Sequence, residues 1–101
     1  MGAKIMKKNE VIKILREYKK EVAEQYGIID IGVFGSVARD EAEEDSDVDV
    51  VVHIPRPDLF MLVGIKNDLE DRLRRPVDIV TYRKNMNQFL KKRIDGEAVY
   101  A

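Results

Sequence analysis

Two aspartates separated by one residue, Asp47 and Asp49, are the side chains of this sequence best suited to chemistry. Three valines follow them at residues 50–52, which predicts that the pair opens a β-strand. Side chains at positions i and i+2 of a strand project from the same face, so both carboxylates should converge on one point. Because two nearby anions raise each other's pKa unless a cation lies between them, Mg²⁺ or Mn²⁺ is expected there.

A Gly-Ser pair, Gly35 and Ser36, precedes the first aspartate, with ten residues between Ser36 and Asp47. Glycine adopts backbone angles closed to other residues and lets a phosphate approach the main chain. A serine hydroxyl and the free N–H groups of a following helix can then donate to that phosphate. The alternative is a plain turn with a serine N-cap. A phosphate-binding turn beside a metal site is the minimum equipment for phosphoryl or nucleotidyl transfer.

A third acid, Asp78, stands in a later run of β-branched residues. It is predicted to lie on a strand next to that of the aspartate pair. There it would complete a three-carboxylate site able to bridge two metal ions. The alternative is an edge-strand acid paired with Arg75.

Arg39 and His53 are weaker candidates on the same elements. Arg39 follows Ser36 by about one helical turn, so its guanidinium is placed to contact triphosphate oxygens. A solvated arginine, or one paired with Glu43, is the alternative. His53 shares the predicted strand face of the aspartate pair, but no second His or Cys is near it, and we interpret it as structural.

The elements that must position these residues alternate along the chain. Apolar periodicity, glycine and proline breaks and β-branched runs define them. The predicted helices cover residues 8–25, 36–42, 58–73 and 86–94, and the predicted strands cover residues 28–34, 47–54 and 77–82. This order predicts an α/β (α+β) fold, a small mixed β-sheet flanked by helices. A length of 101 residues predicts a single domain over residues 1–101.

The helix predicted over residues 58–73 has an apolar stripe that is expected to face the core. Phe60 and Met61 fall outside that stripe, so they either fill the edge of the core or contact a partner. The stripe consists of Leu59, Leu62, Val63, Leu69 and Leu73.

The composition is 45% hydrophobic and 37% charged, with a formal net charge of −1 and no cysteine. It predicts a globular protein without disulfides or thiolate metal sites, which fits the cytoplasm. No direct nucleic-acid binding is expected from this net charge. No apolar run reaches the length of a membrane span and the N-terminus lacks a secretory segment, so no membrane association is expected.

The charges are unevenly distributed. An acidic site beside basic flanks suits a metal-bound polyphosphate, while ordinary solvated helix faces are the alternative. The acidic residues are Glu41, Glu43, Glu44, Asp45, Asp47 and Asp49, and the basic ones are Arg72, Arg74, Arg75, Arg83, Lys84, Lys91, Lys92 and Arg93.

Three segments, in this order and in so short a chain, resemble the minimal nucleotidyltransferases, the smallest members of the DNA polymerase β-like nucleotidyltransferase superfamily. The likeness extends from about residue 28 to residue 100. The segments are Gly35-Ser36-Val37-Ala38-Arg39, Ser46-Asp47-Val48-Asp49-Val50-Val51-Val52 and Pro76-Val77-Asp78-Ile79-Val80.

The resemblance implies the polymerase β-like fold reduced to its catalytic core, and transfer of AMP from ATP. It implies two Mg²⁺ ions on Asp47 and Asp49, with Asp78 as the third catalytic acid that binds one metal or orients the nucleophile. Gly35 and Ser36 would hold the terminal phosphates. Family members of this size are typically paired with an all-helical HEPN-type ribonuclease toxin. The nucleotidyltransferase acts there as an antitoxin that adenylylates a tyrosine of the toxin, a type VII toxin–antitoxin pair.

Two other functions remain open at this stage. The first is a non-catalytic antitoxin or binding module that neutralises its partner by masking. The second is a small-molecule nucleotidyltransferase of the antibiotic-modifying kind. The three aspartates count against the first, and the lack of an acceptor domain counts against the second.

Overall fold

The computed structural model describes residues 7–43 and 46–101 of the chain. Helices and strands alternate in it, as the periodicity predicts. The elements are α1 (Lys8–Tyr26), β1 (Asp30–Phe34), β2 (Val48–His53), α2 (Leu59–Leu73), β3 (Val77–Thr81), α3 (Gln88–Glu97) and β4 (Val99–Tyr100). Glu44 and Asp45 of the acidic segment lie outside the described residues.

Local capping fixes where the helices begin and end. α1 ends at Gly27, whose φ of 65° is the left-handed conformation that glycine tolerates best. α2 begins after Asp58, whose side chain accepts a hydrogen bond from the backbone N–H of Met61 at 2.8 Å. These predictions from glycine and aspartate spacing are confirmed. α3 begins after Asn87, whose side-chain oxygen accepts from two backbone N–H groups.

The four strands form one sheet in the order β3-β2-β1-β4. β1 pairs antiparallel with both β2 and β4, whereas β2 and β3 are parallel. A parallel pair needs a crossover connection, and α2 supplies it. The predicted fold class, a small mixed sheet flanked by helices, is confirmed.

Strand periodicity divides the sheet into two differently covered faces. One face packs against α1 and α2 and holds the main core, in which Leu15, Tyr18, Val50 and Ile65 are fully buried. The other face carries a smaller cluster of Phe34, Val51 and Ile94, the last of these from α3. The odd-numbered residues of β2, Asp49 among them, share this second face.

A polar contact joins the two helices on the main core face. The buried hydroxyl of Tyr18 donates to Asp68 Oδ2 at 2.8 Å, and the guanidinium of Arg72 lies 4.9 Å from the centre of the tyrosine ring. Burial, followed by this hydrogen bond, raises the pKa of Tyr18 well above its usual range. The hydroxyl is therefore a permanent donor that fixes α1 against α2.

Two predictions of secondary structure were wrong. Residues 36–42 do not form a helix: residues 35–40 form successive turns, and Asp40 has a φ of 54°, which a continuing right-handed helix excludes. The two-residue strand β4 was not predicted, because so short a run has no measurable periodicity.

The apolar stripe predicted for α2 is only partly buried. Leu69 and Leu73 lie in the core, but Leu59 is 73% exposed and Val63 is 46% exposed. Phe60, for which the edge of the core was one expectation, is 90% exposed. The first turn of α2 therefore extends beyond the sheet, where no element covers it among the described residues.

None of the helices in residues 7–43 and 46–101 is long and apolar enough to cross a membrane.

Two glycines give a test of the β4 pairing. A Cβ on Gly32 would come within 2.8 Å of Tyr100 Cδ1 and of the Val99 carbonyl oxygen, so Gly32→Ala should cost about 1–3 kcal/mol of unfolding free energy. The matched control is Gly96→Ala in α3, where a Cβ meets nothing within 4 Å and alanine should stabilise by about 0.5–1 kcal/mol. Urea unfolding monitored by circular dichroism measures both. Equal stability of Gly32→Ala and wild type would contradict the close packing of β4.

Candidate functional site

Two carboxylates meet at the edge where the parallel strands begin. Asp49, the second residue of β2, is the register partner of Asp78, the second residue of β3. Register partners on adjacent strands lie about 4.8 Å apart and project from the same face. Asp49 is half-buried and Asp78 is exposed. The prediction that Asp78 lies on the strand next to that of Asp49 is therefore confirmed.

Asp47 lies just before β2 and is exposed. Its charge still acts on Asp49. It is thus at the mouth of the same site rather than within the sheet.

The Gly35 turn reaches this edge from the other side of β2. β1 is antiparallel to β2, so its last residue, Phe34, is the register partner of Asp49. The next residue, Gly35, has a φ of 74°, and a Cβ on it would overlap Asp49 Oδ2. Two reasons therefore require glycine at this position: the positive φ of the backbone, and the close approach of the Asp49 carboxylate.

The turn after Gly35 is held by its own backbone. The N–H of Arg39 donates to the Gly35 carbonyl at 3.2 Å, and that of Glu41 donates to the Ser36 carbonyl at 2.8 Å. Ser36 is partly exposed at the start of these turns. The Gly-Ser pair thus adjoins the carboxylates as predicted, although a series of turns follows it in place of a helix.

The charges of the site converge on Asp49. Burial raises the pKa of the Asp49 carboxyl, and the carboxylates of Asp78 and Asp47 raise it further. The guanidinium groups of Arg93 and Arg39 act in the opposite direction. A carboxyl group with a raised pKa beside two other anions is stabilised in its ionised form by any cation that binds between them.

Arg39 is paired with two acidic side chains. Its Nε donates to Glu41 Oε2 at 3.1 Å, and its Nη1 lies 2.9 Å from Glu97 Oε1. Arg39 is thus paired, but with Glu41 and Glu97 and not with Glu43, so the partner named in the alternative was wrong. The other Glu97 oxygen, Oε2, accepts the backbone N–H of Gly35 at 3.2 Å.

Arg93 and Glu97 are site residues that the motifs do not contain. Both lie on α3, which packs on the same sheet face as Asp49, and the Arg93 guanidinium lies 5.8 Å from the centre of the Phe34 ring. The basic character of the C-terminal region was visible in the sequence. The sequence did not show which of these charges would face the carboxylates, because that depends on how α3 packs on the sheet.

The site contains suitable donors for a hard cation but no complete ligand shell. Within residues 7–43 and 46–101, no group of three or more His, Cys, Asp or Glu side chains is arranged so that it could hold a metal ion. Carboxylate oxygens are nevertheless the ligands that Mg²⁺ prefers, and Mg²⁺ is usually held by one or two carboxylates plus substrate phosphates. The pair Asp49 and Asp78 fits that pattern.

Other residues singled out in the sequence lie away from this edge. His53, at the end of β2, stacks on Tyr82 with the ring centres 4.8 Å apart. Its Nε2 lies 2.9 Å from the hydroxyl oxygen of Tyr100. Both contacts support a structural role for His53. Met61 lines a cavity of about 280 Å³ beyond the opposite end of β2. Exposed Phe60 adjoins Met61 in α2, so neither residue belongs to the site.

Comparison with known proteins shows the family to which the sequence is similar. Residues 15–101 match the family described as the nucleotidyltransferase domain. A provisionally named protein adenylyltransferase of Methanocaldococcus jannaschii, MJ0126, is 38% identical over 93 residues, which cover 91% of this chain and 95% of that protein. Protein adenylyltransferase MntA of Thermococcus cleftensis is 39% identical over 92 residues, covering 90% of this chain and 92% of that protein.

Solved structures agree with the fold. A provisionally assigned minimal nucleotidyltransferase superposes with a TM-score of 0.73 at 34% identity, covering 93% of this chain and 95% of that one. A tri-AMPylated Shewanella oneidensis HEPN toxin in complex with its MNT antitoxin gives a TM-score of 0.62 at 15% identity, over 87% of this chain and 69% of that chain. The second likeness is one of fold.

Replacement of Asp49 tests the charge balance of the site. Asp49→Asn is isosteric and removes an ionised group whose pKa is raised, so in EDTA at pH 7 its melting temperature should equal or exceed that of wild type. Because protonation of Asp49 favours the folded wild type, any gain should shrink as the pH falls toward about 4. Asp71→Asn, an exposed carboxylate of α2, is the control. A variant that unfolds in EDTA would identify Asp49 as structural.

Proposed function

Because the chain belongs to the nucleotidyltransferase domain family, we propose that it is a Mg²⁺-dependent enzyme that transfers AMP from ATP to a hydroxyl of a partner protein. The observation that carries this proposal is the register pairing of Asp49 with Asp78 directly beside the Gly35 turn. A site of carboxylates next to a glycine turn suits a metal-bound triphosphate.

The proposed roles of the site residues follow the order of the strands. The Gly35 turn lies on the β1 side, Asp49 lies in the centre on β2, and Asp78 lies on β3 at the edge of the sheet. In the proposed arrangement the phosphates bind on the β1 side, where the Gly35 N–H, the Ser36 hydroxyl and Arg39 donate to their oxygens. The acceptor then approaches across the open β3 edge, toward Asp78.

The reaction is an in-line displacement at the α-phosphorus of ATP. The acceptor oxygen forms the new bond to phosphorus, the bond between the α- and β-phosphates breaks, and pyrophosphate leaves. Asp78 orients the acceptor hydroxyl and takes its proton. Asp49 and Asp78, with Asp47 at the mouth of the site, would hold Mg²⁺ together with the substrate phosphates, and the metal would supply charge stabilisation in the transition state.

The proposed acceptor is a tyrosine of a HEPN-type toxin, with the chain acting as the antitoxin. The names of the relatives support this choice, since MntA is named a protein adenylyltransferase. A neighbour in fold was solved as an MNT antitoxin in complex with an AMPylated HEPN toxin, and another toxin–antitoxin structure, with a TM-score of 0.68, contains AMP-PNP. Attachment of AMP to the partner is thus the chemistry by which this chain would neutralise it.

Transfer to the partner is the direct test. The HEPN-type protein that co-purifies with this chain from its native host should gain one or more AMP units in intact-mass spectra after incubation with ATP and Mg²⁺. Asp47→Asn should abolish the gain while the two chains still associate, because the substitution removes a metal ligand without changing shape. The charge-matched control Asp71→Asn should retain transfer. A tight complex that blocks the partner's ribonuclease activity without added AMP would favour neutralisation by masking.

The phosphate side of the site predicts unequal effects at its two motif residues. Ser36→Ala removes one hydroxyl donor to a charged group, a loss on the order of 1.5–3 kcal/mol, and should lower kcat/KM by about ten- to a hundred-fold. Gly35→Val should be more damaging, because its side chain overlaps the Asp49 carboxylate and its φ of 74° disfavours a β-branched residue. Steady-state AMP transfer measures both variants. Equal and negligible losses would indicate that the phosphates bind elsewhere.

A further inference from the structure

The phosphate-binding donors proposed above already bind an anion within the chain. The carboxylate of Glu97, the last residue of α3, accepts the Gly35 N–H through Oε2 at 3.2 Å. Its other oxygen, Oε1, lies 2.9 Å from Arg39 Nη1. One side chain therefore engages both a backbone donor and a guanidinium of the turn, as two oxygens of a phosphate would.

A triphosphate cannot use these donors while Glu97 holds them. Each N–H that donates to a carboxylate oxygen is unavailable to a phosphate oxygen. The negative charge of Glu97 also adds to that of Asp47, Asp49 and Asp78, which already act on one another at this edge. A polyanion that approaches the turn must either displace Glu97 or bind beside it against charge repulsion.

Glu97 can leave this position without disturbing the core. Its side chain is 25% exposed, and its three side-chain torsions allow the carboxylate to turn into solvent. The residue before it, Gly96, has open space around its Cα, and glycine weakens the last turn of a helix relative to alanine. Arg39 keeps a second carboxylate partner in Glu41, so it stays near the turn when Glu97 departs.

We propose that Glu97 is an internal competitor of the triphosphate, occupying the Gly35–Arg39 anion site in the nucleotide-free protein and leaving it when phosphate oxygens bind. This inference rests on the proposed function, because it takes the Gly35 turn as the site of the phosphates. Glu97 thereby sets the affinity for nucleotide, and the free protein has no unpaired guanidinium at the turn. The alternative role, in which Glu97 only holds α3 or Arg39 in place, predicts the opposite effect of its removal.

The test is the dissociation constant of Mg²⁺-AMP-PNP, measured by isothermal titration calorimetry. Glu97→Gln keeps the shape of the side chain but removes its charge, and it should bind about five-fold more tightly than wild type. Glu41→Gln is the matched control, because it removes a carboxylate from the same arginine without touching Gly35. Its affinity should stay within about two-fold of wild type, as expected for an exposed ion pair.

A second variant guards against a loss of folding. Glu97→Asp keeps the charge but withdraws the carboxylate by one methylene, about 1.5 Å, so it should also bind more tightly, by a smaller factor. Circular dichroism and melting temperature establish that each variant is folded. If Glu97→Gln fails to fold, Glu97→Asp carries the comparison.

Three results would overturn the inference. Unchanged or weaker binding by folded Glu97 variants, with wild type still transferring AMP, would assign Glu97 a positioning role and leave the proposed function intact. If Glu41→Gln binds Mg²⁺-AMP-PNP as tightly as Glu97→Gln does, the gain in affinity is due to the loss of any negative charge near the site and not to Glu97 in particular. If neither wild type nor the variants bind nucleotide, the assignment of a phosphate site to the Gly35 turn is wrong, and so is the proposed function.

Discussion

The contact between the Asp49 carboxylate and the backbone of Gly35 is the constraint on which the rest of the site depends. β1 and β2 can pair in the register Phe34 to Asp49 with the turn passing beside the carboxylate only because residue 35 lacks a Cβ. That register places the Gly35 turn next to Asp49, and the parallel pairing of β2 with β3 places Asp78 on the other side of Asp49. Strand pairing thus brings the turn and both carboxylates to one edge of the sheet.

The negative charges at the centre of the site are not fully compensated by the arginines around it. Asp49 carries a raised pKa because it is partly buried among like charges, and Arg93 and Arg39 offset this only in part. Arg39 is itself shared between two carboxylates. The nucleotide-free protein therefore holds an excess of negative charge in the centre and a neutralised arginine at the turn. A cation bound between the carboxylates would relieve the first imbalance, while an anion would reach the turn only in place of Glu97.

Much of this arrangement could be predicted from sequence because it follows from periodicity. The position of Asp49 before three valines indicates its strand and face, although Asp47, which was expected to open that strand, lies just before it. Glycine and aspartate mark one end each of α1 and α2. What could not be predicted depends on contacts distant in sequence. The docking of α3 brings Glu97 to a turn that lies 62 residues earlier. The exposure of Phe60 likewise reflects how far α2 extends beyond the sheet, which no local pattern encodes.

The parallel pairing of β2 and β3 also makes the geometry of the site independent of α2, the helix that connects the two strands. The spacing between Asp49 and Asp78 is set by hydrogen bonds between strands, about 4.8 Å, and does not depend on the length or surface of the segment that joins them. Substitutions on the outer face of α2, including its exposed Leu59 and Phe60, should therefore leave the spacing of Asp49 and Asp78 unchanged.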